Sequence, residues 1–193
     1  MDPLYLFVFF GLFTPGPNVI LLTTSGARFG FRATLPHVLG VALGVGITAG
    51  LTGFGLGAAL AEWPMLRIML SLVAAGWIGY MAVRLWNSQP MDASGPDWDR
   101  PWGVGRAMLF QWVNPKVWAV AMAAASGYGL GLSPLAEAQR LALAFSGLNL
   151  GVCLFWSFAG SLLALLLSDA RAWTIFARVM AIGLGASAVM VFL

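Results

Sequence analysis

Two short segments combine proline with side chains that can bind a charged solute. The first is FTPGPNVILL, from Phe13 to Leu22, and the second is QWVNPKVW, from Gln111 to Trp118. Proline removes a backbone N–H and clashes with the carbonyl four residues earlier, so each segment predicts a broken helix. The freed backbone groups, with an asparagine in each segment and a lysine in the second, have the chemistry to bind a carboxylate.

In the first segment, Pro15, Gly16 and Pro17 predict at least one unwound turn, with a new half-helix beginning near Asn18. In hydrocarbon, freed N–H and C=O groups find partners only in protein or in a water-lined cavity. The N-terminus of the half-helix carries a partial positive charge, which favours a carboxylate. A plain proline kink is the alternative interpretation, and Pro-Gly-Pro-Asn together favour a binding role over it.

In the second segment, Lys116 is the only lysine of the chain and follows Asn114 and Pro115 in the middle of an apolar stretch, 104 to 128. A lysine at the centre of a membrane helix costs about 2.5 to 3.5 kcal/mol on insertion scales, which indicates a function or a partner. The predicted function is to bind a substrate carboxylate or to change protonation in a coupling step. The alternative is that Lys116 only hydrogen-bonds carbonyls freed around Pro115.

Acidic residues are absent from the centre of every apolar stretch. The seven Asp and Glu residues lie at positions 2, 62, 92, 97, 99, 137 and 169. Because ion pathways through membranes commonly use buried carboxylates, this pattern disfavours a metal-ion transporter. A substrate ammonium would instead bind exposed carbonyls and Asn18, Asn114 or Asn149.

Neither a metal site nor a catalytic site is predicted. His37 has no Cys or Glu nearby and is interpreted as an interfacial histidine without function, and the single cysteine, Cys153, cannot form a disulfide within the chain. No nucleophile, zinc-protease or phosphate-loop motif occurs. The sequence therefore predicts no cofactor and no enzymatic activity.

The elements that must position these residues are membrane helices. Of the 193 residues 60% are hydrophobic and 9% are charged, against about 25% charged in soluble domains. This composition predicts an all-α, polytopic protein embedded in a lipid bilayer. The positive net charge does not indicate nucleic-acid binding, because the arginines lie mostly at the ends of apolar runs. Six spans are predicted, at about 4–24, 35–61, 65–86, 104–128, 138–167 and 173–193.

The polar segment 87–103 divides the chain into two halves of three spans, 1–86 and 104–193. Because three is odd, the second half enters the membrane inverted relative to the first. A weak match between PNVILLTTSGARFG and PKVWAVAMAAASGYG indicates an inverted repeat whose first helices are both broken. Paired interruptions in inverted halves are typical of a transporter binding site.

The positive residues predict the orientation of the spans. One side holds Arg28, Arg32, Arg84, Arg100, Arg106, Arg171 and Arg178, and the other holds Arg67 and Arg140. Seven against two assigns the first set to the cytoplasm and both termini to the outside. The glycine pairs Gly40/Gly44, Gly46/Gly50 and Gly147/Gly151 let helices approach closely, either within the chain or in a homodimer.

These residues give the chain its resemblance to the LysE/RhtB family of amino-acid exporters. The similar segments are TPGPN in the first span, GARFGFRATLPHVLGVALG entering the second, GYMAVRLW closing the third and NPK in the fourth. The resemblance implies export of an amino acid or a derivative from the bacterial cytoplasm through the inner membrane, driven by an ion gradient, expected to be that of protons. It also implies that Pro15, Gly16, Pro17, Asn18, Asn114, Pro115 and Lys116 line the transport path.

After NPK the chain departs from the family pattern. Many members continue into a phenylalanine-rich stretch with a Pro-Gln pair, whereas this chain has AAASGYG, from Ala123 to Gly129. Because of this departure, the resemblance does not identify the substrate as lysine, threonine or homoserine. The predicted function is secondary active export of a small zwitterionic amino acid or derivative. A membrane scaffold or helper subunit that transports nothing, and a passive channel for small solutes, are the alternatives.

Overall fold

The structure is a computed structural model that describes residues 2–56, 62–88, 100–164, 166–167 and 169–189. These residues form α-helices joined by short turns, together with one 3-10 turn, and no strand occurs among them. In chain order the helices are α1 (Pro3–Phe13), α2 (Pro17–Phe29), α3 (Phe31–Gly53), α4 (Pro64–Trp86), α5 (Val104–Phe110), α6 (Pro115–Gly127), α7 (Pro134–Leu163) and α8 (Ala170–Val189). The prediction of an all-helical chain is confirmed.

Four helices are long and apolar enough to cross a membrane: α3, α4 from Ile68 onward, α7 and α8. The pair α1 and α2 passes the same test together and makes a fifth. The predicted fourth span, 104–128, is divided into α5, the 3-10 turn Gln111–Val113 and α6. The six-span inverted repeat therefore stays a prediction. The predicted ends at 61 and 193, and most of the segment 87–103, lie outside the described residues.

The two predicted breaks are both present. Helices α1 and α2 meet at 58° across the segment Thr14–Gly16, and α2 begins with Pro17. In the second half, α5 ends in the 3-10 turn and Pro115 is the first residue of α6. A proline at this first position costs no hydrogen bond, because the first N–H groups of a helix have no partner within it. Each proline therefore ends one half-helix and begins the next.

Helices α3 and α7 cross at the centre of the protein, where small residues allow close packing. A side chain added at Gly46 would lie 2.8 Å from Cβ of Ser146, and one at Gly50 would lie 3.2 Å from Cβ of Ala142. The glycine pair Gly46/Gly50 thus serves packing within the chain, whereas Gly147 and Gly151 meet no described neighbour. Helix α2 also packs against α7, and α4 packs against α8.

The helices run between two ends that differ in chemistry. At the first, which we call the arginine-rich end, Arg28, Arg84, Arg100 and Arg106 surround a cavity. At the second, which we call the Arg140 end, α1, α6 and α7 come together around Arg140. The breaks lie between these ends.

Candidate functional site

The two breaks meet at Lys116. Its ammonium group donates hydrogen bonds to the carbonyl oxygen of Thr14 and, at 2.8 Å, to the Thr14 hydroxyl. The lysine chain crosses directly over Gly16, where an added Cβ would lie 2.7 Å from Cδ of Lys116. The lysine thus bonds a carbonyl freed by the first break rather than one around Pro115. It joins the two broken helices.

A second contact between the breaks is a cluster of three side-chain amides. Asn18 Nδ2 donates to Gln111 Oε1 at 2.8 Å, and Gln111 Nε2 donates to Asn18 Oδ1 at 3.2 Å. Gln111 Nε2 also donates to the Ala107 carbonyl at 2.8 Å, and Asn114 Nδ2 reaches Gln111 Oε1 at 3.4 Å. Gln111 is fully buried. This glutamine therefore fixes the register of α2 against α5.

Gly44 makes room for that glutamine. A Cβ at Gly44 would lie 2.6 Å from Cγ of Gln111 and 2.7 Å from the Met108 carbonyl oxygen. Real Cβ atoms do not approach other atoms so closely, so only glycine permits α3 to lie against this turn. The Gly40/Gly44 pair thus serves packing around the site.

Beside the breaks lies a small cavity, of which about 20 Å³ is open to the centre of a water molecule. This is room for about one water. The predicted residues that line it are Gly16, Asn18, Asn114, Lys116 and Asn149. Pro15, Pro17 and Pro115 do not line it, and their part is to shape the backbone. The remaining lining residues are Leu12, Val19, Leu22, Val117, Val152, Cys153 and Trp156.

Three polar atoms of the cavity residues are buried without a hydrogen-bond partner among the described residues. They are Asn114 Oδ1, Asn149 Nδ2 and Trp156 Nε1. Leaving a buried polar atom unpaired costs about 1 to 3 kcal/mol, and such atoms are uncommon in folded proteins. One acceptor and two donors therefore surround a cavity that also holds the Lys116 ammonium. This set complements an amino acid, which carries an ammonium and a carboxylate.

Sequence reasoning missed Gln111 and Trp156 as members of the site. Gln111 stands in the same quoted segment as Lys116, and a glutamine in a predicted span was a usable signal. Trp156 gave no such signal, because tryptophan is common in membrane proteins. The sequence indicated only that Cys153 cannot form a disulfide within the chain, and its place in the cavity wall is a result of the packing of α7 against α2.

The Arg140 end is closed by a charged cluster. Arg140 pairs with Glu137 at 2.6 Å and with Asp2 at 3.2 Å, and it donates to the Tyr128 carbonyl. The Tyr128 ring packs on Phe7, with ring centroids 5.0 Å apart. Asp2 precedes α1 and Tyr128 follows α6, so the outer ends of both broken helices are tied to α7. The segment that departs from the family pattern, Ala123 to Gly129, contributes to this closure.

Comparison with known proteins identifies the family. The model of the family described as "LysE type translocator" matches residues 9–193. The chain belongs to the LysE type translocator family. Cysteine/O-acetylserine efflux proteins of Salmonella choleraesuis and Salmonella typhimurium are 30% identical to it over 158 residues, which are 77% of this chain and 76% of theirs. An uncharacterized membrane protein of Vibrio cholerae is 24% identical over 105 residues, 53% of this chain and 51% of its own. No solved structure matches.

Membership of this translocator family confirms the resemblance seen in the sequence. The matched region contains both breaks and every residue that lines the small cavity. Among the residues that the structure describes, no group of His, Cys, Asp or Glu could hold a metal ion.

Proposed function

We propose that this LysE type translocator is a secondary active exporter of a small neutral amino acid or derivative, and that it is not an enzyme. The observation that carries the proposal is the cavity between the two breaks, where a cation, two unpaired donors and one unpaired acceptor meet. The related Salmonella proteins are named as efflux proteins for cysteine and O-acetylserine, which supports a small polar amino acid as the solute.

The solute's carboxylate binds near Lys116 Nζ, Asn149 Nδ2 and Trp156 Nε1. Its ammonium donates to Asn114 Oδ1. This arrangement would give each unpaired atom of the cavity a partner. It also explains why no buried acid is needed for the ammonium. Because Lys116 already bonds Thr14, binding of the carboxylate competes with the contact that joins the two breaks.

The cavity in this conformation is too small for an amino acid, so transport requires the broken helices to move apart. The first turn of α2 and of α6 begins at a proline, and the outer halves α1 and α6 are tied to Arg140. We infer that these outer halves form the gate toward the outside and that the arginine-rich end faces the cytoplasm of a bacterium, with the inner membrane as the location. This orientation follows from the distribution of arginines.

Coupling to protons would act through the small cavity. Lys116 and the Cys153 thiol are its titratable lining groups among the described residues. Loss of the Lys116 proton would remove the positive charge that binds the solute carboxylate. Lys116 is therefore the group through which a proton gradient would drive export.

Efflux from cells loaded with dipeptides tests this function. Cells that hydrolyse a cysteine-, serine- or alanine-containing dipeptide accumulate the amino acid, and its appearance outside is followed over time. Expression of the chain should speed loss of one small neutral amino acid, and collapse of the proton gradient should abolish that gain. The control is Arg171→Gln at equal membrane level, because Arg171 is exposed and lines neither cavity. A chain that speeds the loss of no amino acid, or whose flux ignores the gradient, would contradict the proposal.

A further inference from the structure

A larger cavity opens at the arginine-rich end and shares no residue with the small cavity between the breaks. About 510 Å³ of it is open to the centre of a water molecule, and it lies between α2, α3, α4 and the segment leading into α5. Its four arginines are Arg28, Arg84, Arg100 and Arg106. No carboxylate lines this cavity in the described part of the chain. Such a concentration of positive charge raises the local concentration of anions.

Arg106 lines the cavity from the first turn of α5, four residues after Trp102. Its guanidinium lies over the Trp102 ring at 4.5 Å from the centroid. Trp102 also stacks on the His37 ring, with centroids 5.1 Å apart. Arg106 makes no ion pair with any described residue. A guanidinium held on an aromatic ring keeps its N–H groups available for an oxyanion.

His37, which the sequence predicted to be an interfacial histidine, is 2% exposed and buried among protein side chains. Neither of its ring nitrogens has a hydrogen-bond partner within the described ranges, and the same holds for the Thr24 hydroxyl. Both residues line the large cavity. An imidazole always carries at least one N–H donor, and a hydroxyl carries another. Two buried donors and a guanidinium thus face one space.

We propose that Arg106, His37 and Thr24 form an oxyanion-binding site that receives the carboxylate of the solute before it reaches the cavity at Lys116. Thr24 and Asn18 are six residues apart on α2, which is about 9 Å along a helix axis. Phe110 packs edge-on against Trp102 at 5.5 Å and directly precedes Gln111 of the amide cluster. Phe110 thus contacts the wall of the large cavity and adjoins the amide cluster in sequence. The identity of the anion as the solute rests on the proposed function, whereas the oxyanion site itself does not.

The single histidine of the chain makes a direct test available. Full-length protein labelled with ¹⁵N-histidine, in nanodiscs of phosphatidylcholine, gives imidazole signals from His37 alone. The probes are sodium acetate and inorganic phosphate in solution, and nanodiscs that contain phosphatidylglycerol. Acetate should shift the His37 signals with saturation. Arg106→Gln should weaken acetate binding about tenfold, the effect expected for one charge-assisted hydrogen bond. Arg106→Lys should restore part of it, and Arg171→Gln should not change it.

Export provides the second readout. Arg106→Gln should raise the KM for export about tenfold with little change in maximal rate, since it affects the first encounter and not the central site. No shift with acetate or phosphate would overturn the oxyanion site. A shift only with phosphatidylglycerol would overturn the solute carboxylate as ligand and assign the site to a lipid headgroup. A shift with acetate in a protein that exports no amino acid would refute the proposed function and leave the oxyanion site standing.

Discussion

Arg140 and Arg106, at opposite ends of this translocator, are held in different ways. At the Arg140 end one guanidinium bonds Asp2, Glu137 and the Tyr128 carbonyl, so its charge joins three helices. At the arginine-rich end four guanidinium groups surround an open cavity, and Arg106 rests on a tryptophan ring instead of a carboxylate. The first arrangement closes the protein and the second attracts anions. Under the proposed function, this conformation is closed toward one side of the membrane at Arg140 and open toward the other at the large cavity, with both breaks in between.

The largest effect is expected from a substitution of Lys116, which lies between the two ends. Lys116→Ala removes the cation that joins the breaks and that we propose binds the solute. Charge-assisted hydrogen bonds contribute about 1.5 to 3 kcal/mol, so export should fall about 10- to 150-fold. Dipeptide-loaded cells give the measurement, and Lys116→Arg is the control that keeps the charge. Export at the normal rate by a correctly inserted Lys116→Ala protein would show that the lysine is not part of the path.

Arg140→Gln should loosen the closed end. Because Asp2 and the Tyr128 carbonyl lose their shared partner, α1 and α6 should open more often toward the side that we propose is the outside. The single Cys153 reports this opening, since it lines the small cavity and is 1% exposed. Its reaction with an impermeant methanethiosulfonate added outside should speed up about tenfold, equivalent to roughly 1.4 kcal/mol. Arg171→Gln is the matched control. Equal reaction rates in the two variants would show that the Arg140 contacts do not close this end of the protein.

Gly44→Ala should disturb the amide cluster from the side of α3. The added methyl overlaps Gln111 and the Met108 carbonyl, so α3 and α5 must separate. Overpacking of this kind costs about 1 kcal/mol or more, and export should fall about fivefold. Gly76→Ala on α4 is the comparison, because nothing lies within 4 Å of an added Cβ there. Thermal unfolding of both variants, with export measured in parallel, checks the difference. Similar behaviour of the two alanine variants would contradict the close approach of α3 to Gln111.

The smallest effect is expected from Trp156→Phe, which keeps the ring and removes the unpaired N–H. A neutral hydrogen bond to the solute contributes about 0.5 to 1.5 kcal/mol, so the KM for export should rise about 2- to 10-fold. The maximal rate should change little. Trp77→Phe is the control, because Trp77 is 40% exposed on α4. An unchanged KM for Trp156→Phe would exclude this N–H from solute binding.

The sequence predicted the breaks well and their neighbours poorly. Proline acts on its own helix, so Pro15, Pro17 and Pro115 specified where α2 and α6 begin. Lys116 was expected to bind a substrate carboxylate or change protonation, with carbonyls near Pro115 as its alternative partners. Its partner in the structure is Thr14, 102 residues away. That contact depends on how two helices cross, which local pattern does not encode. For the same reason the pairing of Asn18 with Gln111 was not predicted.

The burial of His37 was not predictable from the sequence, for a different reason. Its position near the start of α3 predicted an interfacial residue, because helix ends in membranes commonly lie at the interface. The structure buries it under Trp102, since the segment leading into α5 packs across the end of α3. Burial of a helix end depends on which segment covers it, and a single sequence does not show that.

The central claim is that the solute binds between the breaks and is reached from the arginine-rich end. Cys153 alkylation in inside-out and right-side-out membrane vesicles tests it most directly, with Cys153→Ser as the blank. A small impermeant reagent should react faster in inside-out vesicles, where the cytoplasmic face is exposed. The exported amino acid should slow that reaction, and Lys116→Ala should remove the protection. Equal rates in the two orientations, with no protection by any small neutral amino acid, would contradict the account.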